Sequence, residues 1–287
     1  MPLTINTNIQ SMNAQRNLTA SQASLSTSMQ RLSSGLRVNS AKDDAAGMAI
    51  AERMGAQVRG MNVAIRNAND GISLAQTSEG ALGKVADSLQ RMRELAVQAS
   101  NASNSNDDKD SLDQEFGQLA QEIQRVLGGT TFNGKAILGA DAGAQEFKIG
   151  ANTTTNDAIT VTTTNMTTDA TLTVVAGTDN TGAGRAVIDN TANAAAINTV
   201  IDNIDTALDT VNSERATFGA TQSRFDAVIS NLQVSVENQS AARARIMDAD
   251  FAAETANLSR AQILQQAGNA MIAQANQLPQ GVLSLLR

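Results

Sequence analysis

The chain contains no cysteine, no histidine, no tryptophan and no tyrosine. Each absence closes a chemistry. Without imidazole there is no histidine acid/base catalysis and no Ser-His triad, and without thiols there is no cysteine nucleophile. Most zinc sites need one or the other. Carboxylate, lysine and hydroxyl chemistry stay open in principle, but no constellation for them is visible, so no enzyme and no cofactor are expected. Aromatic residues are 2% of the chain, all of them phenylalanine. The core must then come from Leu, Ile, Val, Met and Ala, the palette of close-packed helices. No apolar run approaches the ~20 residues needed to cross a bilayer, so membrane insertion is not expected. The opening Met1-Pro2-Leu3-Thr4-Ile5-Asn6 has neither a basic n-region nor an apolar h-region, and export is expected without a cleaved signal peptide. A net charge of −7 and a pI near 4.7 argue against nucleic acid as a partner.

Acid is also missing from both ends. None of the 28 acidic residues lies before Asp43 or after Glu254. The first 42 residues carry only Arg16, Arg31, Arg37 and Lys42, and the last 33 carry only Arg260 and Arg287. A solvated helix usually carries many charges for solubility and i,i+4 pairing. Long helix-patterned ends nearly stripped of charge point to burial among other chains, and so to an assembly subunit.

What is present is period. Ile5, Ile9 and Met12 step by four and three; after a phase slip Leu18, Leu25, Met29, Leu32 and Leu36 follow, with a break at Gly35. Ser40 with Asp43 three residues on reads as a capping-box-like start, and Asp44 also favours a helix N-terminus. A second, long helix carries Met54, Val58, Met61, Ile65, Ala68, Ile72, Ala75, Leu82, Ala86 and Leu89, its seam interrupted by Glu79. A turn over Ser100 to Asp110 leads to a third helix through Leu112, Phe116, Leu119, Ile123 and Val126, ended by Gly128-Gly129. From Thr130 to about Arg185 the pattern changes. Asn133-Gly134 signals a tight turn, and Phe147/Ile149, Ile159/Val161 and Leu172/Val174 alternate with polar residues, which predicts exposed β-hairpins. Helix period resumes from Ile197 to Val236, in register apart from Arg215 and Gln222. A last helix carries Leu264, Met271, Ala275 and Leu278, and Val282 and Leu285 continue the spacing past Pro279.

These observations predict a mainly α fold, a long antiparallel coiled-coil bundle with a small β-hairpin insert at its tip. Three parts follow: a terminal helical domain of residues 1–42 and 255–287, a helical bundle of residues 43–150 and 186–254, and a short β-rich surface insert of residues 151–185. The insert, rich in Thr and Asn, reads as too polar to share a core and as dispensable for assembly. The candidate assembly residues are Ile5, Ile9, Met12, Leu25, Met29, Leu32 and Leu36 in the first arm and Leu264, Met271, Leu278, Val282 and Leu285 in the last.

Three ordered stretches carry a family resemblance. They are Leu32-Ser33-Ser34-Gly35-Leu36-Arg37-Val38-Asn39-Ser40-Ala41-Lys42-Asp43-Asp44-Ala45-Ala46-Gly47-Met48-Ala49-Ile50-Ala51, then Leu89-Gln90-Arg91-Met92-Arg93-Glu94-Leu95-Ala96-Val97-Gln98, and Leu278-Pro279-Gln280-Gly281-Val282-Leu283-Ser284-Leu285-Leu286-Arg287. With Ile5-Asn6-Thr7-Asn8 they resemble the flagellins, subunits of the bacterial flagellar filament. The resemblance implies export as an unfolded chain, polymerisation at the distal end, and terminal segments that are disordered in the monomer and helical in the filament. It also implies an extracellular location and, as partners, copies of the same chain, an export chaperone, the filament cap and the hook-junction proteins. Arg91, Leu95 and Glu115 match positions through which toll-like innate immune receptors recognise flagellins, and Gln90 and Gln98 of the same segment join them as the candidate receptor-recognition residues. Two other readings compete. A hook–filament junction protein shares the terminal architecture, but the Ser40 to Ala46 block and the Val282 to Arg287 ending favour flagellin. A polysaccharide-binding adhesin is weakened by the lack of Trp and Tyr, because sugar sites commonly stack on aromatic faces. The zinc peptidase carried by some relatives needs histidine ligands, which this chain lacks.

Overall fold

The computed structural model describes residues 7–284, with side chains as far as residue 277. Six helices and two short hairpins follow in order: α1 (Ile9–Ser34), α2 (Ala45–Ala99), α3 (Asn106–Gly129), β1 (Thr131–Phe132), β2 (Lys135–Ala136), β3 (Ala144–Lys148), β4 (Ala158–Thr162), α4 (Ala170–Ala176), α5 (Ala194–Met247) and α6 (Phe251–Ser284). The chain folds into two compact units, Met1–Ala56 with Glu237–Arg287, and Gln57–Val236. The expected boundaries at residues 42 and 255 fall inside the first unit.

In the first unit α1 starts at Asn8, whose side chain accepts from the Ser11 N–H, and ends at Gly35 in the left-handed region with φ of 71°. The chain then pairs with the far end of α5: the Arg37 N–H donates to the Met247 carbonyl at 2.6 Å and the Ala249 N–H to Gly35 at 2.9 Å. Val38, Ala51 and Met247 close a small core there. Asp44, not Ser40, caps α2, accepting from the Gly47 N–H at 2.8 Å. Ser40 belongs to a separate turn in which the Asp43 carboxylate accepts from the N–H groups of Asn39 and Ser40 and from the Ser40 hydroxyl. Two adjacent aspartates thus divide two jobs that a single capping box would have combined.

The second unit has one large core and a smaller buried cluster of Met61, Ala64 and Leu232. α2 and α5 run antiparallel, since Arg93 meets Asp205 and Glu79 meets Arg215. The three residues that break the apolar seam find one another: Glu79 lies 3.7 Å from Arg215 and accepts from Gln222 at 3.5 Å. α3 begins at a capping box between Ser105 and Asp108 and lays Phe116, Ala120, Ile123 and Leu127 into the core. β1 and β2 are joined by Asn133 and Gly134, both at positive φ (49° and 79°), the two-residue turn expected there. β3 pairs antiparallel with β4, Phe147 opposite Ile159, and the Phe147 ring meets Phe225 edge-on with centroids 5.8 Å apart.

The insert departs from expectation twice. Leu172/Val174 alternate like a strand but lie in helix α4. The Asp169 side chain accepts from the Thr171 N–H to start it, and Leu172, Val175 and Ala176 fall at i, i+3 and i+4 on the buried side while Val174 faces out. Burial of that face overrides the β-propensity of a Thr/Val-rich segment. Nor is the insert a polar surface module. Ile159, Val161, Met166, Leu172, Val175 and Ala176 belong to the same core as Leu82, Leu89 and Phe116. Its polar residues are numerous, but its large apolar ones, Val174 apart, are spent inward.

Candidate assembly and recognition surfaces

The terminal arms form the antiparallel pair the sequence predicts. The Asn8 amide donates to the Ala275 carbonyl at 2.8 Å, Leu18 packs on Gly268, and Arg31 lies 3.9 Å from Glu254. The buried positions between the helices are small: Ser11, Ser28, Ala261 and Ala275, with Glu254 beside them. Hydroxyls elsewhere on α1 are satisfied within the helix, Thr19, Ser21, Ser24 and Thr27 each donating to the carbonyl four residues back. Such a hydroxyl asks little of a neighbour and tolerates being packed against.

Because small residues fill the inter-helix contact, the large apolar ones are left outside. Ile9, Met12, Met29, Ile263, Leu264 and Met271 are each more than half exposed, and Phe251 is too. Outside the first unit, every exposed large hydrophobic side chain among the described residues is a valine. Of the predicted assembly residues, Ile9, Met12, Met29, Leu264 and Met271 are therefore open, and Leu25, Leu32 and Leu36 are half-buried. Ile5 and Leu285 lie outside the described residues, as do the side chains of Leu278 and Val282. Ile263 and Phe251 were not singled out by the sequence; Ile263 sits one residue off the predicted stripe, and its only signal was a large apolar side chain in a segment without charge.

The second surface lies on α2 and α3. The Arg91 guanidinium donates to Glu115 at 2.9 Å and to Glu94 at 2.9 Å. The hydrogen bond to Glu115, then that to Glu94, hold the arginine pKa above its usual value, so the charge is permanent. Gln90 and Gln98 are exposed, and Arg93 forks onto Asp205 of α5. The fold-back of α3 thus brings the Glu115 carboxylate beside Arg91. Leu95 is different. It is fully buried in the core, so it cannot offer an open aliphatic contact to a receptor. Residues four apart on a helix are offset by roughly 40°, enough for one to sit at the rim and the other in the core. Val97, half exposed, is the aliphatic group that remains available among Gln90, Arg93, Glu94 and Gln98.

Residues 5–143 match the bacterial flagellin N-terminal helical region, and residues 201–286 match the bacterial flagellin C-terminal helical region. The chain belongs to the bacterial flagellin family. A flagellin of Halalkalibacterium halodurans is 45% identical over 283 residues, covering 99% of each chain. One of Xenorhabdus nematophila is 44% identical over 313 residues, covering all of both. The flagellar filament 33 kDa core protein of Treponema phagedenis is 39% identical over 287 residues, 99% of each. These likenesses run through the middle of the chain as well as its ends, so the whole length is flagellin-like. Membership makes this a structural subunit of the flagellar filament, polymerising with copies of itself outside the cell. Among the described residues no helix is long and apolar enough to cross a membrane.

Proposed function

We propose that this flagellin leaves the cell as an unfolded chain, adds at the distal end of the growing filament, and there buries the outer faces of α1 and α6 against other copies. The observation that carries this is the set of large apolar side chains, Ile9, Met12, Met29, Ile263, Leu264 and Met271, left open on a helix pair almost without charge. Ordering a backbone costs roughly 1–2 kcal/mol per residue, and a helix pair joined mainly through Ser and Ala recovers little of it alone. The arms are therefore disordered before addition and helical after it. Scarce charge keeps the desolvation cost of packing low. An export chaperone that covers the apolar arms, the filament cap and the hook-junction proteins are the further partners of this route.

Seeded elongation, followed by electron microscopy, tests the reading. The wild-type chain extends seeds into long filaments, and Leu264→Glu, which places a charge on the open face, stops extension while circular dichroism stays unchanged. Normal filaments from Leu264→Glu would remove α6 from the assembly surface.

A second reading rests on the Arg91 cluster. A permanently charged guanidinium flanked by Glu94 and Glu115, with Val97 nearby, supports recognition by a toll-like innate immune receptor, since arginine is favoured at interface hot spots.

A further inference from the structure

With no Cys, His, Trp or Tyr in the chain, methionine is its one readily oxidised side chain. The ten methionines are unevenly placed. Met61, Met92, Met166 and Met247 are buried, and Met48 and Met54 are half-buried. Met12, Met29 and Met271 are 55%, 56% and 62% exposed, and all three lie on the terminal helix pair. Met1 is outside the described residues. Met12 and Met271 sit at neighbouring levels of that pair, bracketed by the Asn8–Ala275 hydrogen bond and the Leu18–Gly268 contact.

We infer that Met12, Met29 and Met271 are oxidation sites through which peroxides control assembly: sulfoxidation of the free subunit blocks its addition, and the packed filament shields the same sulfurs. The inference rests on the reading that the outer faces of α1 and α6 meet other copies. In the reaction a thioether lone pair attacks one oxygen of hydrogen peroxide. The S–O bond forms as the O–O bond breaks, the proton of the attacked oxygen passes to the leaving hydroxide, and water departs. Sulfur is oxidised by two electrons and the peroxide is reduced by two. The product turns a flexible apolar side chain into a polar, chiral one, which disrupts methionine-containing interfaces. Here it would put a polar oxygen on a helix pair that otherwise leaves Ile9, Ile263 and Leu264 open for packing. No thiol is present in the chain to intercept the oxidant first.

The test treats the full-length monomer with dilute hydrogen peroxide, maps sulfoxides by peptide mass spectrometry, and measures seeded elongation. One oxygen is expected on Met12, Met29 and Met271 before Met61, Met92, Met166 or Met247, with elongation slowed about tenfold or more. Methionine sulfoxide reductases of both epimer specificities should restore it. Preformed filaments should take up no oxygen at the three sites. The triple variant Met12→Leu/Met29→Leu/Met271→Leu should elongate equally with and without peroxide. Monomer carrying all three sulfoxides yet elongating at the untreated rate would overturn the inference, as would core methionines oxidising as fast as the exposed three. Untreated wild-type monomer that fails to elongate would instead overturn the assembly reading beneath it.

Discussion

Arg185 engages both carboxylate oxygens of Asp113, joining the end of the insert to the middle of α3 across 72 residues of sequence. The same carboxylate accepts from the Ile188 N–H at 2.9 Å, and the guanidinium also donates to the Ala186 carbonyl at 2.8 Å. Both side chains are mostly covered, 19% and 12% exposed, and the bond to Asp113 raises the arginine pKa. The guanidinium lies flat over Gly117, where an added Cβ would come within 3.1 Å of it. Removing one partner leaves the other charge stranded, which costs about 3–5 kcal/mol for fully buried pairs and here, with partial exposure, about 2–3. Asp113→Asn should lower the Tm by roughly 5–10 °C on that basis. Gly117→Ala should lower it less, because the arginine can shift. Equal melting of wild type and Asp113→Asn in calorimetry would show the fork to be decorative.

The insert is expected to be needed for folding. Leu172 is fully buried in the core shared with α2, α3 and α5, so Leu172→Ala should cost about 2–5 kcal/mol. Replacing residues 151–185 by a Gly/Ser linker removes six core side chains at once and should leave a protein that melts early or aggregates. A linker variant with the wild-type Tm would restore the surface-module view.

What the sequence displayed was whatever lies along one element or one turn. The apolar period over Leu82, Ala86 and Leu89, the stop at Gly35 and the Asn133-Gly134 hairpin are all local signals, and all are in the fold. Contacts between distant segments were hidden. Arg185 with Asp113 could not be paired by spacing, and Glu79, Arg215 and Gln222 looked like three separate faults in a seam before they proved to be mutual partners. Leu172 misled because Thr and Val on both sides imitate a strand, while tertiary burial chose a helix turn. The open side chains of α1 and α6 were legible as a stripe, but not that Ser and Ala would take the inward positions.

Acid should weaken the fold, and the turns identify why. Asp43 is held below its usual pKa by the Asn39 N–H, and Asp108, Asp157, Asp179 and Asp189 by the hydroxyls of Ser105, Thr154, Thr181 and Thr191. A carboxylate depressed in the folded state stabilises it above the unfolded value near 3.8, and that stability is lost as pH falls through the lower folded values. Thermal melts should therefore be flat from about pH 7 to pH 5 and fall below about pH 4. Asp108→Asn, which keeps the size but not the charge, should flatten part of that fall. An unchanged acid limb in Asp108→Asn would take the α3 cap out of the pH response.

Arg91 and Leu95 stand four residues apart on α2 and should fail in opposite ways. Arg91 is exposed, and solvent-screened ion pairs such as those with Glu94 and Glu115 add little to stability, so Arg91→Ala should leave the Tm almost unchanged. If the cluster is read by a receptor, the same change should weaken receptor activation by monomer with a hot-spot cost of about 2 kcal/mol, roughly 30-fold. Leu95 is buried in the same core as Met92 and Phe116, so Leu95→Ala should cost about 2–5 kcal/mol of stability and should touch recognition only through that loss. Val97, open on the same stretch, is the aliphatic side chain whose truncation should reduce recognition without lowering the Tm. Measuring melting and receptor activation on the three variants separates the roles. A recognition defect in Arg91→Ala with wild-type melting supports the charged cluster as the contact. Full activation by a folded Arg91→Ala would exclude it.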